Sequence, residues 1–367
     1  MNKIEILKLN NEKENKIYSP YSLLIALYML YEGADGHTKD ELDNILKNEE
    51  ITKLDNIENV LSILNRMYIK DNDNILINES YKSVIKDKYN ADVVLDPLDS
   101  VDIINNFIEK NTFGQIKNML REIYGNLFLI NTLTVDMEWP YQISGDNVDE
   151  GMFENVIASY VYGFSKNYAS YYKDDEVTSV GLELKQYDSN RYECVLIQPD
   201  SIELNDYINN MDDNKLNNIL NNLIELKDDS RTVNIAIPKF SFSYELDANK
   251  TFSSLGLNLT APDLKNITDI TDSMKIHHKS NIDFSENGLK AASATVVEIL
   301  DGAAFIDPEQ TLDIVINRPF MFVLREKNSN TILFLGTVYN PTLWEDDEDN
   351  YQLLEDDEDD EDNYQYI

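Results

Sequence analysis

Cysteine, histidine and glycine-rich motifs are scarce in this chain, and each shortage excludes a class of protein. Cys194 is the only cysteine among 367 residues, so no disulfide can form within the chain and its stability depends on packing. The three histidines, His37, His277 and His278, stand in two places, and no cysteine–histidine cluster has the spacing of a zinc site. No glycine pattern of a phosphate-binding or dinucleotide-binding loop occurs. We therefore expect no metal and no cofactor.

Positive charge is scarce too, because 31 lysines and arginines oppose 68 aspartates and glutamates, which gives a formal net charge of -37. Such a chain repels phosphate backbones, heparin-like polyanions and anionic lipid, which disfavours nucleic-acid, heparin and membrane partners. Residues 1–8 are charged every few positions and hold no apolar run long enough for a signal peptide or a membrane span. The sequence therefore predicts a cytoplasmic protein, and we expect a monomer.

Apolar residues make up 42% of the chain, enough for a sizeable core, and their spacing predicts four helices. Ser19 before Pro20 is a typical helix start, and the helical pattern that follows ends at Gly33. Thr38 with Glu41 predicts a capping box at the start of the next helix. The other two helices are predicted around 103–108 and, long and rich in asparagine, at 204–223.

Strands are predicted mainly in the second half of the chain. Segment 127–135 is rich in apolar and β-branched residues, as is typical of a central strand buried on both faces. Apolar runs at 320–324 and 331–335 flank a turn and predict a hairpin. Further strands are predicted at 191–197, 233–237 and 239–244. Helices early and strands late, without regular alternation, predict an α+β fold.

No linker rich in proline, glycine or serine divides the chain, so we predict one domain over 1–343 followed by an acidic tail over 344–367. The tail has 13 acidic residues and no lysine or arginine, and its segment 345–352 recurs at 358–365. Self-repelling charge with little apolar content predicts disorder. A role in solubility and a role in docking a partner are both open for this tail.

The stretch after Gly288 lacks the glycine, proline and asparagine that are typical of connections. Small and β-branched residues alternate there instead, and such residues enter a pleated sheet at little steric cost. Because side chains alternate along a strand, one face would carry Leu289, Ala291, Ser293, Thr295 and Val297. From the residues alone, a plain buried strand stays open as the interpretation.

Motifs in a fixed order run through residues 15–341. They include Asn15-Lys16-Ile17-Tyr18-Ser19-Pro20, Asn65-Arg66-Met67-Tyr68, Gly114-Gln115-Ile116, Pro238-Lys239-Phe240, Arg318-Pro319-Phe320 and Phe334-Leu335-Gly336-Thr337-Val338-Tyr339-Asn340-Pro341. In this order the motifs resemble the serpin family of protease inhibitors. The resemblance implies three β-sheets, about eight to nine helices and an exposed reactive-centre loop. The short segment before Ser19 resembles serpins of large DNA viruses, which would place the protein in a host cytoplasm.

The resemblance implies that the protein is not an enzyme but a suicide-substrate inhibitor. A protease would form an acyl-enzyme at a scissile bond of the loop, and the freed loop would then enter the main sheet as a new strand. The metastable uncut chain would therefore hold a spare strand, 289–297, outside a complete sheet. A Ser/His/Asp hydrolase is the competing interpretation, and it fails because no nucleophile-elbow glycine motif is present.

The resemblance also implies roles for particular residues. The hinge, which begins the loop, matches Glu286, Gly288, Leu289, Ala291, Ala292, Ser293, Ala294 and Thr295. The shutter, a polar cluster beneath the main sheet, matches Ser19, Ser22, Asn131 and His278. The breach, where insertion starts, matches Trp139 and again Glu286.

By the family's usual count of seventeen residues from Glu286, the resemblance implies Gly302 on the acyl side of the scissile bond, whereas a sixteen-residue count implies Asp301. We predict cleavage between Asp301 and Gly302, and Leu300 or Phe305 also stay open for the acyl side. No lysine or arginine lies between Lys290 and Arg318, so a trypsin-like target is disfavoured and an aspartate-specific protease is the hypothesis.

Two departures from the family pattern leave a rival function open. Leu289 stands where inhibitory members carry threonine, serine or valine, and Lys290 stands where they carry glutamate. Slow insertion would let the acyl-enzyme hydrolyse and turn an inhibitor into a substrate. The alternative is a non-inhibitory binding or structural protein with the serpin fold. The stretch 144–187 fits the family pattern poorly and supports no interpretation.

Overall fold

A computed structural model describes residues 1–9, 12–47, 49–71, 76–123, 125–268, 274–289 and 310–344. Its α-helices are α1 (Lys3–Leu9), α2 (Pro20–Gly33), α3 (Gly36–Leu46), α4 (Glu79–Tyr89), α5 (Val101–Asn111), α6 (Leu204–Asn209), α7 (Asp213–Asn221) and α8 (Ala248–Ser254). Its strands are β1 (Lys16–Tyr18), β2 (Leu61–Lys70), β3 (Asp92–Asp96), β4 (Leu127–Val135), β5 (Val148–Phe153), β6 (Val156–Val161), β7 (Ala169–Lys173), β8 (Val177–Glu183), β9 (Tyr192–Pro199), β10 (Ile224–Glu225), β11 (Thr232–Pro238), β12 (Phe240–Asp247), β13 (Met274–Ser285), β14 (Gly288–Leu289), β15 (Thr311–Val315), β16 (Phe320–Glu326) and β17 (Thr331–Val338).

Three sheets organise these strands. The main sheet has the order β12-β13-β4-β2-β3, and β14 pairs with β13. A seven-stranded sheet has the order β1-β17-β16-β9-β8-β7-β10, and a four-stranded sheet has the order β15-β11-β6-β5. The predicted α+β fold with three sheets is confirmed, with eight α-helices in the described part of the chain.

Helix α2 packs between two sheets, against β17 on one side and against β2 and β4 of the main sheet on the other. It begins as predicted: the Ser19 hydroxyl accepts a hydrogen bond from the Ser22 amide, and Pro20 stands in the first turn, where a missing N–H costs little. Buried residues occupy nearly its whole circumference. The face of the main sheet that packs on α2 is therefore its inner, buried face.

Helix α5 covers the opposite, outer face of the main sheet. Its Ile104 and Ile108 are buried in one apolar cluster with Phe128 and Ile130 of β4. Because α2 and α5 cover opposite faces, every residue of β4 is buried, and the prediction of a central strand at 127–135 is confirmed.

Two local predictions are wrong, one because of distant contacts and the other because of a local helix cap that the pattern did not reveal. The Thr38 hydroxyl accepts from the Asp263 amide instead of capping α3, and Glu41 accepts from the Asn258 amide. The single helix predicted at 204–223 is two helices, α6 and α7, because Asp212 caps a new start by accepting from the Lys215 amide.

The described chain ends beside the four-stranded sheet. Thr342 accepts from the Ser159 amide at 2.9 Å and donates to the Lys239 carbonyl at 2.8 Å, and the Trp344 amide donates to the Ile157 carbonyl at 3.2 Å. The acidic residues from 345 onward lie outside the described residues, so the predicted boundary at Leu343 stays a prediction.

Candidate functional site

The two middle strands of the main sheet, β4 and β13, pair along only part of their length. They run parallel from the Met274–Leu127 pair to the His278–Asn131 pair. Beyond this point no pair within the described residues joins 132–135 of β4 to 279–283 of β13. We call the region between these two segments the gap.

Strand β14 lies between the far ends of the same two strands. Leu289 pairs with Phe284 of β13 on one side and with Met137, just beyond β4, on the other. Met137 and Leu289 exchange both backbone hydrogen bonds, at 2.9 and 2.8 Å. Since neighbouring strands lie about 4.8 Å apart, Phe284 and Met137 are separated by about 10 Å, whereas His278 and Asn131 are direct neighbours. The gap is therefore a wedge that is open at the β14 end.

Gly288 makes this arrangement possible. Its φ of +124° lies in a region that side chains disfavour, and a Cβ atom there would lie 2.1 Å from the Met137 carbonyl oxygen. Leu289 follows with 1% of its surface exposed. The expectation that the spare strand waits outside the sheet from Leu289 onward is therefore wrong at Leu289, which is already paired on both sides.

The four residues matched to the shutter lie together where the gap closes. The Ser19 amide donates to His278 Nε2 at 3.1 Å, and His278 Nδ1 lies 2.9 Å from Asn131 Oδ1. Asn131 Nδ2 donates to the Ser22 carbonyl at 2.7 Å and to Asn65 Oδ1. The Ser22 hydroxyl is buried and has no partner in the described part, so Ser22 contributes its backbone.

These contacts fix the protonation of His278. Because Nε2 accepts from the Ser19 amide, Nδ1 carries the proton and donates to Asn131 Oδ1. Complete burial lowers the pKa of His278 to about 3, so the ring is neutral at physiological pH. The bond from His278 to Asn131 joins β13 to β4 at the last residue pair before the gap.

The two residues matched to the breach lie at the open end of the gap. Trp139 Nε1 donates to the Ser285 carbonyl at 2.9 Å, and its rings pack edge-on against Phe164 and Phe284. Glu286 forms an ion pair of 2.9 Å with Lys239. Both contacts hold the end of β13, just before β14.

The remaining predicted residues lie outside the described residues. They are Ala291, Ala292, Ser293, Ala294 and Thr295 of the hinge, and Asp301 and Gly302 of the scissile bond.

Sequence reasoning missed two residues of this region. Asn65 joins the polar cluster because it lies opposite Asn131 in the register of β2 and β4. Lys239 is the partner of Glu286. Both belong to motifs of the family resemblance, but their partners are distant in sequence, and only the strand pairing brings each pair together.

The described ranges contain no group of three or more histidine, cysteine, aspartate or glutamate residues that could hold a metal ion. None of the helices described is long and apolar enough to cross a membrane.

Comparison with known proteins identifies the family. The family model for serpin (serine protease inhibitor) matches residues 3–341. The chain belongs to the serpin family. An uncharacterized serpin-like protein of Methanosarcina mazei is 25% identical to this chain, and the alignment covers 91% of this chain and 83% of the relative. The intracellular coagulation inhibitor 2 of Tachypleus tridentatus is 27% identical, covering 90% and 87%.

Serpin structures agree over nearly the whole chain. The crystal structure of the thermophilic serpin tengpin in its native state has a TM-score of 0.77 and 27% identity, covering 92% of each chain. An Arabidopsis serpin in its native stressed conformation has a TM-score of 0.71 and 22% identity, covering 92% and 96%, and shares the fold. The relatives from Methanosarcina mazei, Tachypleus tridentatus and Arabidopsis are archaeal, arthropod and plant proteins, so the viral resemblance gains no support from them.

Proposed function

We propose that this serpin inhibits a serine or cysteine protease by inserting its cleaved loop into the gap of the main sheet. The observation that carries the proposal is the wedge between β4 and β13, closed at His278–Asn131 and already entered by Leu289 at its open end. Leu289 already occupies one end of the position that a new strand would take, so β4 and β13 provide a template for adding the rest of the loop.

Both observed registers predict the same path for the inserting strand. Met137 opposite Leu289 implies Val135 opposite Ala291 and Asn131 opposite Thr295, because each step along the new strand is one step back along β4. Phe284 opposite Leu289 implies His278 opposite Thr295 by the same count. The run of small residues from Ala291 to Thr295 would therefore fill the gap and end at the bond between Asn131 and His278.

The free energy for this step would come from hydrogen bonds that the uncut sheet lacks. A strand of about ten ladder bonds, each contributing about 0.5–1.5 kcal/mol net, together with side-chain burial, outweighs the cost of ordering the loop. The acyl-enzyme forms when the protease nucleophile attacks the scissile carbonyl and the amine of the following residue leaves. Insertion would carry the attached protease away before water can release it.

The residues of the loop also indicate which protease would be the target. The loop has no basic residue between Lys290 and Arg318, and Asp301-Gly302 is the proposed scissile pair, so the target would accept aspartate. A cytoplasmic monomer would meet such a protease inside a cell. Incubation with aspartate-specific proteases, followed by denaturing gels and mass spectrometry, should give a covalent adduct and cleavage at Asp301. Absence of both removes this choice of target.

Thermal melting before and after a single nick in the loop tests the mechanism without knowledge of the target. Insertion should raise the midpoint by tens of degrees, because a full strand is added to the sheet.

Leu289 supports a second candidate, a binding or structural serpin that does not inhibit. Its bulky side chain is already buried and paired in the uncut chain, which leaves less free energy to be gained by cleavage. An unchanged melting midpoint after the nick would favour this second function.

A further inference from the structure

The loop that follows α5 crosses the outer face of the main sheet over the gap. Thr112 fixes its first turn, since its hydroxyl donates to the Ile108 carbonyl and accepts from the Ile116 amide. The far end is tied back to α5 by Asn105, which exchanges two hydrogen bonds with the backbone of Leu120. The loop is thus held to the helix at both ends.

One side chain of this loop, Gln115, contacts both strands that border the gap. Its Nε2 donates to the carbonyl of Val135 in β4 at 2.9 Å, and its Oε1 accepts from Asn281 Nδ2 of β13 at 3.2 Å. Close by, Lys279 Nζ donates to the Lys117 carbonyl at 3.3 Å. Gln115 therefore bridges two strands that are not paired with each other at this height.

The carbonyl that Gln115 occupies is one that an added strand would need. The Asp136 amide donates to Val60, on the β2 side of β4. Because the C=O and N–H of one peptide group point in opposite directions, the Val135 carbonyl points into the gap. In the register set by Met137 and Leu289, the amide that would reach this carbonyl is that of Ala291.

We infer that Gln115 is a clamp that must release Val135 before the loop can insert, so that it sets the insertion rate. This positioning role rests on the proposed function. The clamp holds β4 and β13 at a fixed separation across the gap. It also occupies the Val135 carbonyl, which is the first hydrogen-bond acceptor on β4 that the inserting strand needs after Leu289. After insertion the Val135 carbonyl accepts a hydrogen bond from the new strand, and Gln115 no longer binds it.

The test uses a synthetic peptide with the sequence of residues 290–297, added to the uncut protein, with uptake followed by native gels and the thermal midpoint of the loaded form. Gln115→Ala should take up the peptide about tenfold faster, because two hydrogen bonds no longer have to break. Gln115→Glu should also be faster, since a carboxylate cannot donate to Val135. The midpoint of the peptide-loaded form should be the same in all variants.

Gln186→Ala is the matched control, because Gln186 is an exposed glutamine whose side chain donates to the Asp188 carbonyl in its own turn and not to β4 or β13. It should take up the peptide at the wild-type rate. Equal rates for Gln115→Ala and the wild type would overturn the clamp and leave the proposed function intact. A lower midpoint of the loaded Gln115→Ala form would also overturn it, because Gln115 would then be an ordinary stabilising residue. A wild-type protein that takes up no peptide would overturn the proposed function, and the clamp with it.

Discussion

At the scale of the residue, His278 shows how burial changes the chemistry of a side chain. A histidine titrates near 6.5 in an unfolded chain, and burial lowers the pKa of His278 to about 3 in the fold. Between pH 6.5 and pH 3 the unfolded state therefore binds more protons than the folded state does. The free energy of unfolding is fully kept above pH 6.5 and decreases as the pH falls toward 3.

The pH dependence of stability follows from this difference. Between pH 7 and pH 5 the wild type should lose about 2 kcal/mol more unfolding free energy than His278→Gln, because glutamine does not titrate. Urea unfolding followed by tryptophan fluorescence at the two pH values measures both losses. Equal losses in the wild type and His278→Gln would contradict the role assigned to burial.

At the scale of the element, the two-residue strand β14 depends on one backbone angle. Gly288→Ala places a Cβ atom 2.1 Å from the Met137 carbonyl oxygen at a φ of +124°, so the chain must move away from β4. We expect the Met137 and Leu289 amides to exchange their hydrogens at least about fivefold faster, since strain of this kind costs about 1–3 kcal/mol.

Gly145→Ala provides the comparison for this measurement. Gly145 has open space where its Cβ would lie, so exchange at Met137 and Leu289 should stay at the wild-type rate. If Gly288→Ala leaves both amides protected, then Gly288 is not what holds β14 between β13 and Met137.

At the scale of the whole molecule, the folded body and the acidic tail should be separable. Removing 345–367 takes away 13 acidic residues and changes the formal charge from -37 to -24. Residues 342–344 keep their backbone hydrogen bonds to Ser159, Lys239 and Ile157, so we expect the melting midpoint of the uncut chain to change by no more than about 2 °C.

A chain that ends at Pro341 is the matched variant for this truncation. It also loses the backbone bonds of Thr342 and Trp344 and should melt several degrees lower. Equal midpoints for the two truncations would contradict the structural role of residues 342–344. A large loss on removing 345–367 alone would mean that the tail stabilises the body.

Much of the architecture could be predicted from local pattern. Ser19-Pro20 caps α2 as expected, and the β16–β17 hairpin follows the apolar runs that border its turn. The prediction at Thr38 failed because a capping group can be satisfied by a partner from far along the chain, as Asp263 is for Thr38. The single helix predicted at 204–223 is divided by a local cap, because Asp212 accepts from the Lys215 amide and starts a new helix. The strands of 144–187 were missed because that stretch fits the family pattern poorly, although its β-branched runs at 156–161 and 177–180 are typical of strands.

By itself, the sequence determined the class of fold, the start of α2, the hairpin and the alternating small residues after Gly288, because hydrophobic spacing and backbone preference are local properties. Only the tertiary structure decided that Asn131 and His278 meet across two strands, that β4 and β13 part beyond them, and that Leu289 already lies in the opening. Those facts depend on strand register, which sums interactions between segments more than a hundred residues apart and leaves no local signature.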